Sequence, residues 1–206
     1  TVVPAYHLVA VIAQPAPGAD AKYRRRESAA VIRALLGEAR QYGFRLVLDI
    51  QPGHASVRDE VRALLPFLRE PDVDLALDPE FAMAPGQVPG RQIGSMRAAD
   101  INAAIDILEQ AIVDHALPPK VLIVHQFTLA MLPDKRAIRP SPHVGVTLDM
   151  DGFGSQPLKL ASYRAVMKQR ALDFAGMKLF YRIDDGLFSP KQVMAVRPTP
   201  AVVIYQ

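Results

Sequence analysis

Five stretches of this chain end an apolar run in groups that can move protons or hold a polar ligand. Residues 73–77 lead into Asp78 and Glu80, 46–50 carry Asp49 and precede Gln51, 121–124 lead into His125 and Gln126, 144–148 into Asp149 and Asp151, and 8–13 into Gln14. Read as one strand, 73–81 would turn Asp78 and Glu80 to the same side, because strand side chains alternate. Two carboxyl groups held that close repel and desolvate each other, which raises one pKa toward the range of an acid catalyst. Glu80 is therefore the expected proton donor and Asp78 the neighbour that tunes it, with Asp149, Asp151 or Asp49 as the second carboxylate. Glycoside hydrolases divide the work this way: one carboxylic acid assists the leaving oxygen, and one carboxylate acts as base or nucleophile.

Around this catalytic set, Gln51, His125, Gln126, Asp151 and Tyr181 are the expected substrate-binding groups. Lys178 and Tyr181 have opposite strand parity, so only one of them is expected to face the site. Plainer roles exist for several of these residues. Asp49 before Gln51-Pro52-Gly53 and Asp151 before Gly152 both suit ordinary turns, and His125 also suits a core histidine bonded to a carbonyl. Metal-assisted hydrolysis is the second enzymatic reading, since Asp49, Asp78, Glu80, His125 and Asp149 are suitable ligand types. With no HxH or HExxH pair in the chain, no metal ligand is assigned. No cofactor is expected either: Gly152-Phe153-Gly154 lacks the third glycine of a dinucleotide fingerprint.

The elements that must carry these residues can be read from periodicity. Seven short, largely apolar strands are predicted at 8–13, 44–50, 73–81, 121–124, 143–148, 177–183 and 202–205. Helical spacing predicts helices over 27–42, from Ser56 to about Leu68, over 98–115, and from Ser155 through Phe174 with Gly176 at its end. The connection 82–97, rich in Gly and Pro, is long enough to suggest a wall or lid over the site. Strands alternating with helices argue for a parallel sheet covered by helices. Because polar residues close at least five strands, the expected α/β fold is a TIM-like (β/α) barrel, irregular or incomplete, rather than an open doubly wound sheet.

Composition bounds the rest. A chain of 206 residues, half of them hydrophobic, is expected to form a single domain over 1–206. A net charge of +3 from 24 basic and 21 acidic residues, with only Arg24-Arg25-Arg26 as a dense cluster, gives no support to nucleic-acid binding. There is no cysteine and no apolar stretch near the roughly 20 residues of a membrane span. The chain starts at Thr1 without a signal-like segment, so a trimmed piece of a longer protein is expected. The expected partner is a carbohydrate or other small polar ligand. There is no Trp to form a sugar platform, but Tyr23, Phe81, Phe127, Phe153 and Tyr181 can substitute. A non-catalytic cell-surface saccharide-binding domain remains the alternative to an enzyme.

The segments LVLDIQPG (46–53), EPDVDLALDPEFAM (70–83), VHQFT (124–128), DMDGFG (149–154) and KLFY (178–181) resemble a family of uncharacterised bacterial proteins, mostly actinobacterial and secreted or lipoprotein-like. The resemblance implies an extracytoplasmic location and a barrel-like domain. The chain is also similar, over a short motif, to chitinase-type barrels with their DxxDxDxE signature. Asp78 and Glu80 match its end, whereas Val73 and Ala76 stand at the two earlier acidic positions.

Overall fold

The strands of this protein are built from β-branched and aliphatic residues that bury one face against helices. In a computed structural model, which describes residues 2–168 and 172–206, they form an eight-stranded sheet curled into a half-barrel. The strands are β1 (Ala5–Ala13), β2 (Arg24–Arg26), β3 (Arg45–Ile50), β4 (Val73–Leu77), β5 (Lys120–His125), β6 (Val144–Met150), β7 (Phe174–Leu179) and β8 (Val202–Tyr205). Their order in the sheet is β2-β1-β3-β4-β5-β6-β7-β8. Every pairing from β1 to β8 is parallel, and only β2 runs antiparallel, on the outer edge of β1.

The helices are α1 (Ala29–Gln41), α2 (Val57–Leu68), α3 (Ala98–His115), α4 (Gln156–Lys168) and α5 (Pro190–Ala195). Ser28, Ser56 and Ser189 cap α1, α2 and α5, each accepting a backbone N–H of the first turn. On the helical side of the sheet, Leu46, Leu48, Ile50, Leu75, Leu77, Leu122, Val124 and Leu148 join Ile32, Leu36, Val61, Leu64, Ile101, Ile105 and Leu108 in one core. The opposite, concave face holds a much smaller apolar cluster of Val47, Ala76, Ile123 and Ile204. Asp49 lies two residues beyond Val47, Asp78 two beyond Ala76, and His125 two beyond Ile123. The alternation that buries leucines under the helices therefore sends these polar groups into the concavity.

Three sequence expectations change. The short strand β2 has no hydrophobic alternation to reveal it. Its arginines are structural: Arg24 and Arg26 hold the fully buried Glu60 of α2 at 2.9 and 2.7 Å. The helix expected through Phe174 ends at Lys168 within the described residues. Phe174 and Gly176 belong instead to β7, which ends at Leu179 rather than Ile183. Finally, β4 stops at Leu77 and residues Pro79–Phe81 form a 3₁₀ turn, so Asp78 and Glu80 do not share a strand face. Pro79 has no N–H for the ladder, and the Asp78 side chain accepts the Glu80 N–H at 3.2 Å, which closes the turn.

Gly176 sits opposite Asp149 in the parallel register, where an added Cβ would lie 2.7 Å from Asp149 Oδ1 and 3.1 Å from its Cα. A Gly176→Ala variant should lose about 1–3 kcal/mol of stability in a denaturant titration, as overpacked sites do. Gly37→Ala, in α1 with nothing within 4 Å of the new Cβ, should instead gain about 0.5–1 kcal/mol.

Candidate functional site

The concave face carries a continuous row of ionisable groups across β1, β3, β5 and β6. His7 on β1 places Nε2 3.4 Å from Asp49 Oδ2 on β3, and His125 on β5 places its own Nε2 3.5 Å from the same oxygen. The other ring nitrogen of His125, Nδ1, bonds Asp149 Oδ2 at 2.9 Å and lies 3.9 Å from Asp151 Oδ2. His125 and Asp149 are register partners on adjacent strands. Between β3 and β5, β4 contributes Ala76 at this level, in register with Asp49 and Ile123, and its small side chain lets the two meet. Asp49, His125 and Asp149 are all essentially inaccessible to solvent.

Just past the strand ends lies a second tier. Gln51 accepts the Ala13 N–H and donates to Asp78 Oδ2 at 3.1 Å. Together with Asp78, Glu80, Asp151 and Lys178, it lines a cavity of about 450 Å³. Phe81, Phe127, Phe153 and Phe180 supply its aromatic lining. Lys178 comes from β7, and its carbonyl accepts from the buried Lys159 ammonium, which also bonds Gly152 O and pairs with Asp184 at 3.0 Å. These contacts tie the 152 and 178 segments together on either side of the cavity. A depression of about 300 Å³ lined by Arg58, Arg62, Arg69, Asp106 and Asp114 lies between α2 and α3 and contains none of the acidic cluster.

Burial and mutual repulsion spread the proton affinities of this cluster widely. Asp78 is pushed up to about 8, chiefly by desolvation and then by the Asp49 charge, against the pull of His125. Asp151 rises to about 6, again first through desolvation, with His125 opposing and Asp149 reinforcing. Burial also raises Glu80, and the Lys178 ammonium holds part of that rise back. Asp49 goes the other way. Burial alone would raise it, but His125 and His7 beside it outweigh burial and hold the carboxyl far below its usual range. Burial likewise works against charging His125, yet Asp49, Asp149 and Asp151 raise it well above an ordinary imidazole. Neighbouring groups thus differ strongly in affinity for a proton, as acid–base chemistry requires.

The expected convergence is found for Asp49, His125, Asp149 and Asp151, which touch, and for Gln51, Asp78, Glu80 and Asp151, which share the cavity. Asp49, Asp149 and the expected binding residue His125 lie buried beneath the cavity and do not line it. Two expected binding residues lie elsewhere. Gln126 has the parity of Val124 and is buried on the helical side, where its amide donates to Thr128 O and accepts from Lys135 at 3.0 Å. Tyr181 is 65 % exposed and stacks on Tyr205 outside the cavity. The strand has already ended at Leu179, so the member of the pair that faces the site is Lys178. Tyr23 packs at a tilt against His54, also outside the cavity. The connection 82–97 lies at the carboxyl ends of the strands but lines no part of the cavity. It braces the turn instead, with Gly94 N–H donating to Glu80 O at 2.6 Å and Met83 N–H to Gly53 O.

Sequence reading missed His7 and Phe180. The signal for His7 was its even spacing from Val9, hidden because β1 starts at Ala5, three residues before the apolar run. No protein-family model matches the chain, and comparison with curated proteins finds no match.

Because Asp149 makes the short contact to His125, its removal should leave a buried imidazole with only the longer contacts to Asp49 at 3.5 Å and Asp151 at 3.9 Å. Asp149→Ala should cost about 3–5 kcal/mol in equilibrium unfolding. Tyr181→Ala, at an exposed stack, should stay within about 0.5 kcal/mol.

Proposed function

We propose that this protein is a glycoside hydrolase-like enzyme acting on a polysaccharide or cell-wall glycan. The observation that carries the reading is that Glu80, Asp78, Asp151 and Lys178 line the same 450 Å³ cavity as four phenylalanines. Carboxylates there can accept hydroxyl hydrogen bonds while phenyl faces cover the C–H faces of a sugar ring. Without Trp, the Phe81, Phe127, Phe153 and Phe180 rings take the platform role. Consecutive parallel strands in sequential order also support reading the half-barrel as an incomplete TIM-like (β/α) barrel, the architecture that places such sites at strand carboxyl ends. The family resemblance supports an extracytoplasmic placement, where glycans are available.

In this reading Glu80 is the general acid. It stands on the turn after β4, half-buried, with burial favouring its protonated form. As the glycosidic C–O bond breaks, its proton passes to the leaving oxygen. Asp151, which lines the cavity, is the second carboxylate, attacking the anomeric carbon or activating a water; its buried Oδ1 has no hydrogen-bond partner among the described residues. Of the three carboxylates expected for this role, Asp49 and Asp149 do not line the cavity. Asp78 is bound by Gln51 and by the Glu80 N–H, so its role is to position the turn that carries Glu80.

Release of reducing ends from a panel of cell-wall and plant glycans tests the proposal. Glu80→Gln should lower turnover by about 10² or more while binding survives. Binding of a glycan by the unaltered protein without turnover would favour the saccharide-binding alternative. A pH profile gives an independent check. Lys178 stabilises ionised Glu80, so Lys178→Met should raise the Glu80 pKa, keep the acid protonated to higher pH, and move the alkaline limb of kcat/KM upward. An unmoved or lowered limb would remove Glu80 from the acid role.

A further inference from the structure

We propose that His7, Asp49 and His125 form a binding site for one divalent first-row transition-metal ion, with Zn²⁺ the best match. This site is separate from the cavity carboxylates and does not depend on the glycoside hydrolase reading.

The geometry is the first support. One ligand atom from each residue can be chosen so that all three lie within 4.8 Å of one another. The two edges that meet at Asp49 Oδ2 measure 3.4 Å to His7 Nε2 and 3.5 Å to His125 Nε2. A tetrahedral ion bonded at 2.0–2.2 Å separates its ligand atoms by roughly 3.3–3.6 Å. The same distances exceed the roughly 2.7–3.2 Å of an ordinary N–H···O hydrogen bond, so a proton fits poorly where an ion fits well.

The unmet polar atoms are the second. His7 Nε2, His125 Nε2 and Asp49 Oδ1 are buried and lack a hydrogen-bond partner among the described residues. The side chains of Asp49 and His125 are 2 % and 0 % exposed, whereas that of His7, at 18 %, leaves a route in. Buried polar atoms left in this condition call for an explanation such as an ion.

The outer partner is the third. His125 Nδ1 bonds Asp149 Oδ2 at 2.9 Å, which holds one ring proton on Nδ1, so that when a metal displaces the other proton the Nε2 lone pair faces Asp49. A carboxylate behind a histidine is the usual support of a metal-bound imidazole. Gly176 leaves Asp149 the room to stand there. The titratable groups facing the set are the carboxyls of Asp78, Asp149 and Asp151 and the ammonium of Lys178. Two imidazoles and one carboxylate select a transition ion over Mg²⁺ or Ca²⁺, which prefer all-oxygen sites.

The test is calorimetric titration of the untagged, chelator-dialysed full chain with Zn²⁺, Co²⁺ and Mg²⁺. Expected are saturable one-to-one binding of Zn²⁺ and Co²⁺, weak or no response to Mg²⁺, and a visible absorption band on Co²⁺ addition that needs no variant. His7→Ala, with its fold checked by circular dichroism, should weaken Zn²⁺ binding more than about 100-fold, and Asp149→Asn about 10–100-fold, the range of outer partners. His143→Ala, at an exposed histidine paired with Glu109, should change nothing. The proposal is overturned if the unaltered protein shows no saturable Zn²⁺ binding, or if His7→Ala binds as tightly as it does.

Discussion

A buried imidazole between two buried carboxylates, His125 between Asp49 and Asp149, is the constraint on which the concave side of this molecule depends. Charges taken out of water are costly, and they persist only where partners are held at short range. Each of the three stands on a different strand, so the interaction exists only when β3, β5 and β6 keep their register. Ala76 and Gly176 are the small residues that permit it: one opens the path between Asp49 and His125, the other makes space beside Asp149.

What keeps the register lies on the opposite face. The apolar core between the sheet and its helices is continuous from Ala10 and Ile32 to Val193 and Val196. Burial of this kind supplies most of the favourable free energy of folding. The polar concavity can therefore be unfavourable locally without unfolding the chain, a usual arrangement at functional sites. Buried lysines contribute to the same scaffold. Lys120 bonds the carbonyls of Glu70 and Val73, and Lys135 joins Gln126 to Val166 O. Each ties a loop or helix to a strand end.

The half-barrel leaves two edges, which are treated differently. At one, β2 covers β1, and its arginines lock onto Glu60, so the outermost strand is short and charged. At the other, β8 pairs with β7, and the Tyr181–Tyr205 stack and the Tyr181 N–H to Gln206 O bond close the end of that pair. Tyr181 is accounted for by this edge contact.

The sequence by itself determined the alternation of strands and helices, the seven parallel strands to within a few residues at most ends, and the set Asp49, Asp78, Glu80, His125, Asp149 and Asp151 as the groups gathered at strand ends. Those features follow from local patterns of period two and 3.6, which any short window displays. Only the tertiary structure decided the rest. That Asp78 and Glu80 part company at Pro79 depends on a turn bond; that Gln126 turns to the helical side depends on where β5 begins its alternation; and that His7 belongs with Asp49 depends on pairing between segments some forty residues apart. Strand pairing, burial and the fields of neighbouring charges are long-range quantities. No stretch of sequence carries them until the sheet has brought its strands together.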